Sequence, residues 1–214
     1  MSIDLIHIYE LLRNRYGDLN WWPAKSPYEV IVGAVLTQNT NWSNVEKALA
    51  NFDGDLSPTL VENMDETTLR EKIRPAGFFN QKTDYLKTIT DWYKKYSYDP
   101  ETVKKQYQTR LRGELLSVKG IGRETADSIL LYAFGFPEFV VDAYTMRLLA
   151  RFGEPERKYE DLKAVFQSQL PKDAALYNNY HACIVINGKE HCRKKPVCGG
   201  CPLHGMCPYP KGTV

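Results

Sequence analysis

LLSVKGIGRETADSILLYAFGFPEFVVDAYTMRLLAR, residues 115–151, is the stretch from which the rest of the chain takes its meaning. It spells a short helix, a tight Gly120-Ile121-Gly122 turn, an amphipathic helix of about three and a half turns, a Gly-Pro loop and an acid at the head of a further helix. Two glycines around one apolar residue let the backbone take positive φ and approach a ligand closely, and the following helix aims unpaired N–H groups at whatever sits there. Phosphate is the natural guest. A G-x-G ahead of a helix is also what an ordinary tight turn between helices looks like. The partner downstream therefore matters: Asp142 stands behind Val140-Val141 and ahead of the helical run 146–151. On its own, such an acid is equally a good N-cap, and the two roles are compatible.

In order, spacing and residue type the stretch resembles the helix-hairpin-helix (HhH-GPD) DNA glycosylases of the endonuclease III superfamily, with their hairpin L-x-G-[VI]-G-x-x-[TS]-A, a Gly-Pro-like loop and an acid in V-D-x-x. The resemblance implies an all-α fold of two helical lobes. Residues 25–134 would be a six-helix barrel ending in the hairpin, and residues 1–24 plus 135–214 a second lobe carrying a C-terminal loop at 192–207. It makes Asp142 the catalytic acid and gives DNA-gripping roles to Lys119, Gly120, Ile121, Gly122, Arg123 and Thr125. The partner is double-stranded DNA with a damaged or mispaired base, met by a monomer.

With 214 residues, 43% hydrophobic and 25% charged, the chain has the composition of a globular protein large enough for a real core. A net charge of +2 says little; its distribution says more. Lys189, Arg193, Lys194, Lys195 and Lys211 face only Glu190 across residues 189–214, and Arg110, Arg112, Lys119 and Arg123 stand against Glu114 near the hairpin. Two local basic patches suit a binder of the phosphate backbone, though either could be a solvated face. No run of some eighteen apolar residues occurs, and residues 1–17 read as an amphipathic helix with acids rather than a signal peptide. A cytoplasmic protein, nucleoid-associated when on DNA and not on a membrane, is expected.

Along the chain, periodicity predicts helices over 3–16, 28–36, 43–52, 58–64, 66–73, 81–96, 100–107 and 109–116, then beyond the hairpin over 159–170 and 173–187, with no strand. Ser26-Pro27 is an N-cap followed by a proline at the first helical position, and residues 28–36 are apolar enough for a buried central helix. Asn20-Trp21-Trp22-Pro23 precedes it; the proline biases Trp22 toward extended backbone, and two rings in one loop make either a core plug or a pocket wall. After the central helix comes Thr37-Gln38-Asn39-Thr40-Asn41-Trp42, too polar for a core. The resemblance makes Gln38 and Asn39 contacts to the base gap or pocket; helix capping is the alternative.

Cys192, Cys198, Cys201 and Cys207 follow C-x5-C-x2-C-x5-C. Four thiols in so short a loop point to one metal centre rather than disulfides, with tetrahedral zinc as the generic choice. The superfamily carries a [4Fe–4S] cluster in such a loop, usually with a first gap one residue longer, and the resemblance assigns one here. Its role would be structural and DNA-docking. Cys183 reads as a core thiol.

Bifunctional superfamily members place a lysine two residues after the last hairpin glycine, where its amine forms a Schiff base. Glu124 stands there in this chain, and a carboxylate cannot form an imine. That leaves Asp142, which can stabilise an oxocarbenium-like sugar or activate water against it. The Trp21-Trp22-Pro23 loop, the T-Q-N-T segment followed by Trp42, and the missing lysine together resemble the endonuclease III-type 3-methyladenine DNA glycosylases (Mag III). That resemblance makes Trp21, Trp22, Pro23 and Trp42 a base pocket, and a cationic alkylated base stacks well on indoles. The four-cysteine loop departs from the Mag III pattern. A mismatch glycosylase for thymine or uracil opposite guanine, and a non-catalytic DNA-binding module, are the competing readings.

Overall fold

The computed structural model describes residues 3–19, 21–154 and 158–209; Asn20 and Lys211 lie outside them. The described residues are helical and loop, with no strand among them, and none of their helices is long and apolar enough to cross a membrane. The chain forms two compact units, one of Trp22–Phe136 and one joining Met1–Trp21 to Pro137–Val214.

The first unit is built around α2 (Pro27–Leu36), in which every residue from Val30 to Leu36 is buried. Ser26 caps it by accepting from the Glu29 amide, and Pro27 sits where no amide partner is needed. Around it run α3 (Trp42–Ala50), α4 (Pro58–Asn63), α5 (Glu66–Ile73) with a 3-10 turn at Arg74–Ala76, α6 (Phe79–Lys94), α7 (Pro100–Lys104) and α8 (Gln108–Ser117). The prolines and the Asn41, Ser57, Asp65 and Asp99 caps fix these starts. The helix expected after Gly122 is not uniform: α9 (Arg123–Ser128) is α-helical, and Ile129–Ala133 continues it with a wider π turn. A π turn has no composition signature, so periodicity reads the two as one helix.

Lys82 on α6 is buried among this unit's helices, with no carboxylate at its head group. Its Nζ donates to the Leu36 carbonyl at the end of α2, at 2.8 Å, and to the Ala76 carbonyl, at 2.9 Å. A cation at a helix C-terminus meets the negative end of the helix dipole, and burial pushes the amine down to about 8.

The second unit packs α12 (Ala174–Glu190) against α1 (Leu5–Tyr16) and α10 (Ala143–Arg151), with α11 (Tyr159–Gln169) beside them. Phe139 stacks on Phe166 at 3.9 Å and meets Tyr177 and Tyr180 edge-on. Three polar residues of α12, Asn179, His181 and Asn187, are buried. Asn179 closes the end of α1, accepting from Leu19 N at 2.7 Å and donating to Gly17 O at 3.3 Å.

Replacing Lys82 with Met should destabilise the protein by about 1–3 kcal/mol, because two buried carbonyls lose their donor. The unfolded amine titrates near 10.5 and the folded one near 8, so the unfolded chain holds the extra proton between those values. Wild-type stability should therefore rise relative to Lys82→Met as pH climbs through that window. Urea unfolding of both proteins across it is the check; parallel curves would contradict the buried-cation account.

Candidate active site

The hairpin turn between α8 and α9 uses its glycines unequally. Gly120 has φ +84°, in the left-handed region, whereas Gly122 has φ −87° and is ordinary extended backbone. Only the first needs glycine for its torsion, which corrects the expectation that both do. A Cβ on Gly120 would lie 2.2 Å from the Tyr85 ring of α6, while one on Gly122 would meet nothing within 4 Å. Gln38 Nε2 donates to Gly120 O at 2.9 Å and to Thr125 Oγ1 at 3.0 Å. Its amide nitrogen thus braces the hairpin. Asn39 beside it is exposed, with φ +54°.

Ile121 and Thr125 are buried, so any grip they exert on DNA must come from backbone rather than side chain. Gly122, Arg123 and Glu124 are exposed at the start of α9, where first-turn amides have no helical partner. Lys119 is largely exposed, 3.5 Å from Asp84. The hairpin's basic patch is smaller than its residue count suggests: Arg110 pairs with Glu114, and Arg112 makes a two-point ion pair with the buried Asp127. Phe78 is 61% exposed with φ +48° at the head of α6.

The tryptophans are rearranged relative to expectation. Trp22 has φ +68°, not the extended backbone that Pro23 favours. Its packing supplies the reason: the indole lies 3.3 Å from where a Gly33 Cβ would be, 5.0 Å from the Tyr132 ring and 5.4 Å from Trp42, edge to face. Trp22 and Trp42 touch, so they leave no slot between them for a third ring. Trp22 plugs a gap over α2, and the π turn carries Tyr132 to it. Trp21 belongs to the other unit, with Lys189 Nζ 5.7 Å over its ring. Pro23 is exposed, and the Trp42 indole N–H donates to Glu46.

In the second unit Asp142 caps α10, its Oδ1 accepting from Thr145 N at 2.8 Å. Its Oδ2 is 3.5 Å from His181 Nε2 of α12. The loop leading to it is held by Val141 N donating to the Tyr159 hydroxyl, at 3.4 Å, and by a buried ion pair between Glu138 and Lys163. Burial raises the Asp142 pKa, but His181 and the Thr145 amide outweigh it, and the carboxyl titrates below its ordinary value. A carboxylate kept charged in a half-buried place can stabilise positive charge or take a proton from water.

All four loop cysteines are free thiols around one cavity, with Leu148, Arg151, Phe152 and Leu203 among its other walls. Arg151 Nη1 donates to Cys192 Sγ at 2.8 Å, and Arg147 Nε to Cys192 O at 2.6 Å. Burial, then the charges of neighbouring cysteines, raise the pKa values of Cys201 and Cys207. Among the described residues no three His, Cys, Asp or Glu side chains converge on a single metal ion. Cys183 is fully buried, and its thiol is pushed up to about 11.

Residues 32–172 match the HhH-GPD superfamily of base excision DNA repair proteins. The "Putative DNA repair glycosylase" of Methanocaldococcus jannaschii is 48% identical over 206 residues, covering 94% of each chain. The thymine-DNA glycosylase of Aeropyrum pernix is 26% identical over 91% of this chain and 88% of its own. Among solved structures, the 3-methyladenine DNA glycosylase MagIII of H. pylori bound to 1,N6-ethenoadenine has a TM-score of 0.79 and 30% identity, over 88% of this chain and 98% of that one. Endonuclease III trapped in a covalent DNA complex shares the fold, with a TM-score of 0.79 at 21% identity over 96% of both chains.

Gly120→Ala should lower stability by roughly 3 kcal/mol, combining left-handed strain with a clash on Tyr85, whereas Gly122→Ala should leave the melting temperature nearly unchanged. Thermal melts of the two variants decide it; equal effects would mean that Tyr85 moves aside freely.

Proposed function

The chain belongs to the HhH-GPD superfamily of base excision DNA repair proteins, and from that premise we propose that it is a monofunctional DNA glycosylase, with alkylated purines such as 3-methyladenine as its substrate class. The observation that carries the chemistry is Asp142, charged and held by Thr145 N and His181 at the head of α10. In the proposed reaction the N-glycosidic bond breaks with its electron pair leaving on the base. The sugar becomes oxocarbenium-like beside the Asp142 carboxylate, and water adds at C1′ while Asp142 takes up its proton. A base alkylated on a ring nitrogen departs neutral, so it needs little general-acid help.

Glu124 at the exposed start of α9 offers no amine for a Schiff base, which supports hydrolysis without strand cleavage. Lys119 and the exposed backbone at Gly122 and Arg123 are the proposed phosphate grip. Phe78 has the size and exposure to fill the gap left by an extruded nucleotide. The half-buried rings of Trp22, Trp42 and Tyr132 supply an electron-rich surface for a cationic base, and the likeness to MagIII favours the same class. A second reading, excision of thymine or uracil opposite guanine, is favoured by the closed contact between Trp22 and Trp42, together with the likeness to a thymine-DNA glycosylase.

The soft four-thiol set around one cavity suits a [4Fe–4S] cluster, held by Cys192, Cys198, Cys201 and Cys207. Such a group would cross-link the C-terminal loop and present Lys194 and Lys195 outward; the hydrolysis itself needs no electron transfer.

Single-turnover base release on duplexes carrying methylated purines or G·T and G·U mismatches is the direct test. Methylated purine should be released, strand breakage should require added alkali, and borohydride should trap no adduct. Asp142→Asn should abolish release while keeping DNA affinity within about twofold. Release from mismatches alone would remove the alkyl-base assignment; a borohydride adduct would overturn the hydrolytic one. Protein purified without oxygen should contain iron and inorganic sulfide in equal amounts, and Cys201→Ser should lose both. Stoichiometric zinc in their place would refute the cluster.

A further inference from the structure

Asp142 is fastened at one oxygen by its own helix, through Thr145 N, and its other oxygen is approached at 3.5 Å by the imidazole of His181 from a different helix. Capping alone fixes one oxygen and leaves the carboxylate plane free to turn about Cβ–Cγ, a torsion with broad wells. His181 reaches the second oxygen from α12, at an ion-pair distance that can shorten once substrate is bound. Both side chains are mostly shielded, at 7% and 14% exposure for His181 and Asp142. A lone carboxylate in such a place would favour its neutral form.

We propose that His181 is the positioning residue of the glycosylase reaction: it fixes the plane of the Asp142 carboxylate, so that one oxygen faces the sugar as charge develops there. The inference rests on the glycosylase reading and adds a residue to it. His181 itself touches neither sugar nor base in this scheme; it acts through Asp142.

Several charged groups on the packed elements are engaged elsewhere. Arg147 of α10 lies 5.0 Å over the Tyr144 ring and donates to Cys192 O, Arg151 turns to the cysteine loop, and Lys163 of α11 is held by Glu138. On α1, Arg13 is paired with Asp18, and on α12 Glu190 accepts from Tyr16. The Tyr159 hydroxyl sits on Val141 N. Among the described residues, the His181 imidazole is the side chain from another helix placed against the second Asp142 oxygen. It stands immediately before the apolar run Ala182 to Val185 of α12, buried where an aliphatic side chain would be the simpler occupant.

The test compares wild type with His181→Gln, which keeps a neutral donor, and with His181→Asn, a shorter amide for the case in which the first variant fails to fold. Single-turnover base release is measured from whichever duplex the wild type processes, across pH, alongside DNA affinity and thermal melting. In a folded variant the rate at neutral pH should fall between about tenfold and a hundredfold with DNA affinity retained, and the acidic limb of the rate profile should move to higher pH, because the charge that depresses the Asp142 pKa is gone. In an Asp142→Asn background the same substitution should cause no further loss. An unchanged rate with an unmoved acidic limb would overturn the proposal, as would a rate loss that merely tracks DNA affinity or stability. If wild type itself releases no base from any duplex, the glycosylase reading fails with it; an active wild type with indifferent His181 variants sinks this inference alone.

Discussion

Gly120 cannot carry a side chain, and much of its unit converges on that fact. The ring of Tyr85 from α6 occupies the space a Cβ would need, Gln38 from the end of α2 donates to the Gly120 carbonyl, and Thr125 of α9 shares the same amide. Two residues before Gln38, the Leu36 carbonyl accepts from Lys82 of α6. The apolar α2, the long α6 and the hairpin are therefore locked at one point by polar contacts that leave little slack. A turn fixed this way presents the exposed Gly122-Arg123-Glu124 backbone in one conformation, so binding a phosphate there would cost little ordering entropy. Rigidity at the grip comes from hydrogen bonds behind it, not from the residues that would touch DNA.

A comparable logic runs through α12 in the other unit. Asn179 satisfies the frayed end of α1, His181 reaches Asp142, and the Asn187 side chain accepts from the Tyr16 hydroxyl at 3.3 Å and the Cys201 thiol at 3.6 Å. Buried polar groups are tolerable only when partnered, and each of these partners lies on a segment that local packing alone would leave loosely placed. The helix acts as a spine whose few polar positions specify where Asp142, the N-terminal helix and the cysteine loop attach.

The all-α architecture was legible because its starts are written in short-range chemistry. Ser26-Pro27, Ser57-Pro58 and Asp99-Pro100 each pair a side-chain cap with a residue lacking an amide hydrogen, and the helices begin where those pairs fall. Asp142 as a cap was readable for the same reason. What could not be read was any contact between distant segments. Gln38 reads as a contact to the base gap or pocket, or as a cap, because nothing in its neighbourhood names Gly120, eighty-two positions away. Pro23 biases Trp22 toward extended backbone, a local effect of modest size, and long-range packing on Gly33 and Tyr132 overrides it. The π turn that delivers Tyr132 leaves no mark on composition.

Capping and catalysis make opposite demands on Asp142, and its surroundings show how both can be met. A capping carboxylate is stabilised by satisfying its lone pairs, which blunts it as a base and as a counter-charge; a reactive one needs lone pairs to spare. Thr145 N takes part of one oxygen and His181 approaches the other at 3.5 Å, longer than a strong charged hydrogen bond. The carboxylate is thereby oriented and kept charged without being saturated. Placing it at a helix N-terminus adds the favourable dipole that offsets part of its burial, so the local structure that secures α10 is the same one that keeps a charged oxygen available for the proposed chemistry.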